Sequence, residues 1–308
     1  MILRLKALSL MLVAVALILG TAFGQSNKNT TTIESRFPGL SSGPLSKATV
    51  ASLKGGAILV ADGISITAKD ISNEIAKAPK ETQSQLSKYP FFMLEQIAIR
   101  KLITNEAKKW ASSKGITSNS DSDLIEKYIN SYLGDIKVSD DEAINFFNEN
   151  RSFFGDSTFE QAKTSIKSYL ENEKRAKAVD DFINSISERH KIQISILWAG
   201  QQYQNWIRNP VEKVRRSGKP SMVNFGSENC RPCEMMKPII AGLQKEYQGK
   251  VNIVFVHVGK EQVLGAVYGI SAIPVQVFYD KTGKERFRHV GYFDKGSIIK
   301  KFKELGFI

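Results

Sequence analysis

Cysteine is nearly missing from this chain. Its 308 residues hold two, Cys230 and Cys233, with three histidines elsewhere. A structural zinc site takes four nitrogen or sulfur ligands, and two thiols do not fill it. Metal is therefore not expected. His257 lies in a central strand and His289 near the last one, while His190 sits at a helix end, and the Met235–Met236 pair reads as core rather than as copper ligands. The two thiols stand too close together, in "SENCRPCEMMKP", to staple distant segments, and a bridge closing so short a loop constrains the unfolded chain least. The pair either binds something or cycles between thiol and disulfide. No cysteine follows the first apolar run, which excludes lipoprotein attachment. No basic stripe interleaved with aromatics is present, so nucleic acid is not an expected partner.

That first run, "ALSLMLVAVALIL", follows Arg4 and Lys6 and precedes the small residues Gly20, Ala22 and Gly24. A bilayer-spanning helix needs about 20 apolar residues, so the pattern predicts an export signal over 1–24, with an uncleaved membrane anchor as the alternative. The expected location is the bacterial periplasm or its equivalent, where disulfides persist. Residues 25–56, rich in Ser, Thr, Gly and Pro, have linker composition and predict a flexible segment. About 250 residues remain, enough for two domains. The net charge of +12 is uneven, with 18 Lys and Arg against 9 Asp and Glu from Trp198 onward. The C-terminal part is thus a separate basic unit, suited to acidic partners or simply to a solvated face.

From 57 to 196 the periods are mainly helical. "AILVA" predicts a strand and Asp62-Gly63 a turn. Thr67 with Asp70 predicts a capped helix start, and Ser139 with Glu142 a capping box. "YPFFMLEQIAIRKLITNEAKKWA" puts Phe91, Leu94, Ile97, Ala98, Leu102 and Ile103 on one stripe. "DSDLIEKYINSYL" is a second helix. "FEQAKTSIKSYLENEKRAKAVDDFINSISERH" reads as one long helix with Ile166, Tyr169, Phe182 and Ile186 inward, before the alternating "KIQISIL". No activity follows from these residues. Their order resembles the chaperone domain of SurA-like and PrsA-like exported folding factors. That likeness implies a mostly α-helical domain whose late helix and strand pack on the first ones and whose apolar clefts hold unfolded polypeptide. The proline-isomerase domain usual in that family is missing between Phe154 and Phe159, so isomerisation of proline is not implied.

From 198 to 308, strands alternate with helices: "SMVNFG", the helix from Arg231, "KVNIVFVHV", "EQVLGAVYGI", "IPVQVFYD", "KERFRHVG" and "DKGSIIKKFKELGF". Cys230 falls at the mouth of a helix, where unpaired N–H groups and the dipole favour an anion. A thiolate there is the attacking nucleophile. Arg231 adds positive charge and Pro232 stiffens the loop. Cys233, one turn in, is shielded and resolves the mixed disulfide. Ile273-Pro274 opens a strand, where a cis proline would present backbone groups to a substrate.

"NCRPC", Pro238, "YGISAIP" and "VGYFDKG" together resemble the thioredoxin family over about 211–308. The resemblance implies an α/β thioredoxin fold, Cys230 as nucleophile, Cys233 as resolving thiol, Pro274 with Ile273 as the substrate-binding cis proline, and Gly291 lining the substrate groove. Asn229 stands where the family usually has Trp, and Arg231 where it has Gly. Asn224 replaces a buried Asp, with Phe255 where that residue's Lys partner falls, so proton transfer at Cys233 is expected to be slower or to use water. The whole is expected to be a multidomain protein, a SurA-like helical domain over 57–196 joined to a thioredoxin-like domain over 198–308. Its expected function is an exported thiol–disulfide oxidoreductase that needs no cofactor beyond the redox-active Cys230–Cys233 disulfide. Its expected partners are unfolded or disulfide-containing exported proteins and a membrane electron donor. The alternatives are a non-catalytic chaperone using the same fold as a peptide platform, and a reductant dedicated to one client such as apocytochrome c.

Overall fold

The computed structural model describes residues 31–151 and 154–308. The expected export signal over 1–24 lies outside them, as does the start of the expected linker. Two compact units are formed, one by 97–191 and one by 31–96 together with 192–308. The expected boundary near 197 is thus displaced, and the reason is strand pairing.

Strands β1 (Thr49–Ala51), β2 (Ala57–Ala61), β3 (Ile64–Thr67) and β4 (Gln193–Ser195) make one sheet in the order β1-β4-β2-β3. β4 runs parallel to β1 and antiparallel to β2, setting Leu59 opposite Ile194, both fully buried. The β2–β3 hairpin turns at Asp62 and Gly63, both at positive φ (38° and 82°), the handedness a two-residue hairpin loop favours. The Thr67–Asp70 capping box forms as expected: Thr67 N–H donates to Asp70 Oδ2 at 2.8 Å, and Asp70 N–H donates to Thr67 Oγ1 at 3.3 Å.

The expected flexible linker over 25–56 is structured from Thr31 onward. Its Ser, Thr, Gly and Pro residues serve as caps and turns, which their short side chains also suit. Thr32 caps a short helix, Ile33–Arg36, and Ile33 and Leu45 are fully buried. Glu95, 3% exposed, accepts from Ser41 Oγ at 2.7 Å and from the Leu45 N–H at 3.1 Å, clamping the segment.

In the same unit, β5 (Ser221–Gly226), β6 (Asn252–His257), β7 (Val275–Tyr279) and β8 (Glu285–Val290) form a second sheet in the order β6-β5-β7-β8. β5 and β6 are parallel, a pairing that needs a crossover, and the helix Arg231–Glu246 supplies it. That helix and the closing helix Lys295–Glu304 bury Met236, Ile240, Leu243, Ile298 and Phe302 against Met222, Ile253 and Phe278. Helices Ile196–Trp206 and Pro210–Arg215 lead into β5. Asn209 caps the second, accepting from the Val211 and Glu212 N–H groups, both at 2.9 Å. Glu212, 1% exposed, accepts from Arg216 Nε at 3.0 Å and the Tyr268 hydroxyl at 2.9 Å, while Arg216 also donates to the Pro38 carbonyl at 2.6 Å. Burial and the Glu212 charge push the Tyr268 hydroxyl well above its ordinary pKa. Trp206 packs between Tyr89 (5.5 Å) and Tyr268 (6.1 Å). These contacts bind residues 31–96 to the second sheet as one body.

The unit 97–191 is helical. It holds most of Pro90–Lys114, then Asp121–Leu133, Asp140–Glu149, Phe159–Asn184 and Ile186–Arg189. The helix expected to be continuous to His190 breaks at Ser185. Tyr169, expected inward, is 44% exposed, its hydroxyl donating to Glu173 on the surface at 2.6 Å. Glu106 takes a two-point contact from Arg189, at 2.8 and 3.0 Å, and lies 2.9 Å from His190 Nε2. Burial alone would raise its carboxyl pKa, but these hydrogen bonds outweigh it and hold the group below its usual 4.5. Among the described residues, no helix is long and apolar enough to cross a membrane.

Two outcomes follow. Gly43→Ala would put a Cβ 2.7 Å from Glu95 Oε1, so urea unfolding is expected to show a loss of about 1–3 kcal/mol. Because the Glu106 pKa is depressed on folding, its contribution is complete above about pH 4.5 and is lost as pH falls through the lower folded value. Glu106→Gln is expected to remove that part of the acid dependence, read as a flatter melting-temperature profile below about pH 5.

Candidate active site

β5 is buried along its length and ends at Gly226, from which a short loop leads to the helix Arg231–Glu246. Asn229 turns that loop at φ 61°, a conformation Asn tolerates better than most residues. Cys230 is the N-cap of the helix, and its Sγ accepts from the Cys233 N–H at 3.3 Å. The two cysteines are bonded as a disulfide with their Cα atoms 5.2 Å apart. Cys230 is half-buried, whereas Cys233 is 2% exposed. Arg231 is exposed in the first turn, followed by Pro232, whose missing N–H costs nothing there. Pro238 lies inside the helix and removes one of its internal bonds.

Facing the disulfide is the Ile273–Pro274 peptide bond, which is cis. The Ile273 carbonyl oxygen lies 3.9 Å from Cys230 Sγ. The Pro274 carbonyl accepts from the Gly291 N–H at 2.8 Å, and Gly291 adopts φ 103°, a region that favours glycine. The structure therefore gathers Cys230, Cys233, Ile273, Pro274 and Gly291 around one centre, with Arg231 and Pro232 in the helix turn beside it. Val290 and Tyr292, on either side of Gly291, are exposed, and so is Met235. The expectation that Met235 and Met236 are both core holds for Met236 alone, because the helix sends adjacent residues to different faces.

Asn224 lies behind the centre, 2% exposed. Its Oδ1 accepts from Gln276 Nε2 at 2.9 Å, and the same amide donates to Met236 Sδ at 3.0 Å. Gln276 is fully buried and faces Asn224 in the β5–β7 register. Sequence reasoning missed this partner. The signal was a lone polar residue in the apolar strand "VQVFY". It also missed the close approach at Gly226, where a Cβ would lie 3.0 Å from the Phe255 ring and in ordinary contact, 3.4 Å, with Cys233 Sγ. Among the described residues, no group of three or more His, Cys, Asp or Glu is placed to hold a metal ion.

Residues 204–304 match the family model described as Thioredoxin. The chain is 33% identical over 88 residues to a thioredoxin of Rickettsia bellii, a match covering 29% of this chain and 83% of that protein. It is 32% identical over 106 residues to a thioredoxin of Chlorobaculum thiosulfatiphilum, covering 34% of this chain and 97% of that one. A thioredoxin of Borreliella burgdorferi is 30% identical over 98 residues, covering 31% and 83%. The family-model match begins after the helical unit, and none of these findings bears on the expected SurA-like likeness of 57–196. Sheet order, the capped disulfide and the cis proline agree with the matches, and through its residues 204–304 the chain belongs to the thioredoxin family, with thiol–disulfide oxidoreductase chemistry.

Proposed function

We propose that this protein is an exported protein-disulfide oxidoreductase whose helical unit holds unfolded clients for the thiol pair. The observation that carries the redox part is the asymmetry of the disulfide. One sulfur is half-open at a helix N-terminus and beside a cis proline, and the other is buried one turn away. In the reduced protein, the Cys230 thiolate attacks a client disulfide, forming a mixed disulfide and releasing one client thiolate, which takes a proton from water. Cys233 then loses its proton and attacks Cys230 Sγ. The intramolecular disulfide forms, the second client thiolate leaves, and the client gains the two electrons the dithiol gives up. The reverse sequence oxidises a client dithiol. Backbone groups at Ile273, Pro274 and Gly291 would align the client segment, and Arg231 would favour the thiolate. No cofactor enters this cycle. Export to the periplasm and recharging by a membrane electron donor belong to the same proposal.

The client-holding part is supported by apolar side chains that the helical unit leaves in solvent: Tyr132 at 60% exposure, Tyr169 at 44% and Ile144 at 40%. Deleting 57–196 would not test it, since β2, β3 and β4 belong to the redox unit. Replacing Tyr132 and Tyr169 by Ser in the full chain is expected to slow turnover of an unfolded protein disulfide several-fold and leave a small disulfide unaffected. Equal rates on both would refute the coupling.

For the redox part, Cys233→Ser is expected to trap a client on Cys230, and Cys230→Ser to trap none. If neither variant forms an adduct while aggregation suppression survives, the protein is a non-catalytic chaperone. Equilibration with glutathione gives the direction. A potential near about −270 mV marks a reductase, and one near about −120 mV an oxidase or isomerase.

A further inference from the structure

The two edges of the second sheet are guarded unequally. An edge strand presents a row of N–H and C=O groups, and natural sheets blunt it with charges, prolines or bulges. β8, at one edge, carries Glu285, Arg286 and Arg288, and its register with β7 shifts between Phe278 and Tyr279. β6, at the other, reads NIVFVH, without Lys, Arg, Asp, Glu, Pro or Gly, and pairs with β5 in unbroken register. Phe255 in its middle is 39% exposed.

The outward backbone groups of β6 follow from its pairing. The Asn252 N–H donates to the Pro220 carbonyl and the Val258 N–H to the Gly226 carbonyl, both at 2.9 Å. Even-numbered groups therefore face β5, and those of Ile253, Phe255 and His257 face away from it. The Ile253 carbonyl accepts from Gln244 Nε2 at 3.0 Å, and the His257 carbonyl accepts from the Lys260 and Glu261 N–H groups at 3.0 and 2.9 Å. Among the described residues, nothing bonds the N–H groups of Ile253, Phe255 and His257 or the Phe255 carbonyl. The edge thus offers three donors and one acceptor. A second copy of β6 would bring the same surplus of donors, whereas a foreign extended strand brings a carbonyl for each.

Charge at the two ends differs. Beside Asn252 stand Lys250 and Lys219, both exposed and, among the described residues, in no ion pair. At the His257 end, Lys260 Nζ lies 3.4 Å from Glu228.

We propose that β6 anchors an extended client segment, which adds to the sheet as a further strand, β-branched or apolar in its middle and acidic at the end beside Lys219 and Lys250. This deepens the client-holding reading above by naming the chemistry held, and it rests on clients being unfolded polypeptide. The order β6-β5-β7 puts the anchor on the side of β5 away from the cis proline that precedes β7. An added strand would lie two strand spacings, about 10 Å, from β5, and about three extended residues span that distance. A client held there keeps its cysteine-bearing stretch free to reach Cys230.

The test uses the full-length protein and a fluorescent peptide of about seven residues, alternating valine and threonine, with aspartate at one end and no cysteine. Saturable binding by anisotropy is expected. Methylating every backbone nitrogen of the peptide is expected to weaken it at least about tenfold, and lysine in place of the aspartate several-fold at low salt. Phe255→Pro is expected to weaken binding about fivefold or more while leaving the β5 pairing intact, because the lost N–H faces outward. Should that variant not fold, the methylated peptide decides. No binding to the natural chain, or equal affinity for the methylated peptide, overturns the proposal. So does a natural chain that sediments as a dimer and turns monomeric in Phe255→Pro, which would place a second copy on β6. Peptide affinity is read without thiol chemistry, so a failure of Cys230 to trap clients sinks the redox reading by a separate measurement.

Discussion

The close approach of Cys233 to the end of β5 is the constraint on which the rest of the molecule depends. At Gly226 a Cβ would crowd the Phe255 ring at 3.0 Å and stand in ordinary contact with the Cys233 sulfur at 3.4 Å, so the helix sits directly on the strand end. In the first turn of the helix, the Cys233 N–H donates to Cys230 Sγ at 3.3 Å. The helix N-terminus then points at a sulfur atom, and the partial positive charge of its free N–H groups is spent on the atom that becomes a thiolate. The sheet must therefore hold β5 rigidly. It does so with a strand on each side, and every residue of β5 is buried.

Most of the redox half was legible because its signals are local. Val, Ile and Phe runs bounded by Gly or Asp gave the strands to within a residue or two. A CxxC pair ahead of a helical period gave the reactive turn, and Ile-Pro at a strand start gave the cis bond. Gln276 was invisible by that route, since its partner Asn224 is remote in sequence and adjacent only through the β5–β7 register. In the helical unit, the capping boxes at Ser139 and Thr158 were as local as the CxxC turn, and the first was read directly. The Glu106–Arg189–His190 cluster was not, because it joins residues more than eighty positions apart.

The stretch from Thr31 to Gly56 illustrates a different failure. Ser, Thr, Gly and Pro are the residues of flexible linkers, and also those of caps and tight turns. Composition cannot distinguish the two uses. What separates them is whether a few apolar anchors find a core, and here Ile33, Phe37, Leu40 and Leu45 do. The buried carboxylate of Glu95 then satisfies Ser41 and the Leu45 N–H, which an apolar wall would have left unpaired.

The chain leaves the redox unit near Gln96 and returns at Ile192, so the helical unit is an excursion from one folded body. β4, the strand made on return, pairs with β1 and β2, made before departure. The sheet is complete only once the chain has come back from the helical unit, so β4 must find β1 and β2 across the whole excursion, a closure whose entropic cost grows only slowly with the length of chain between.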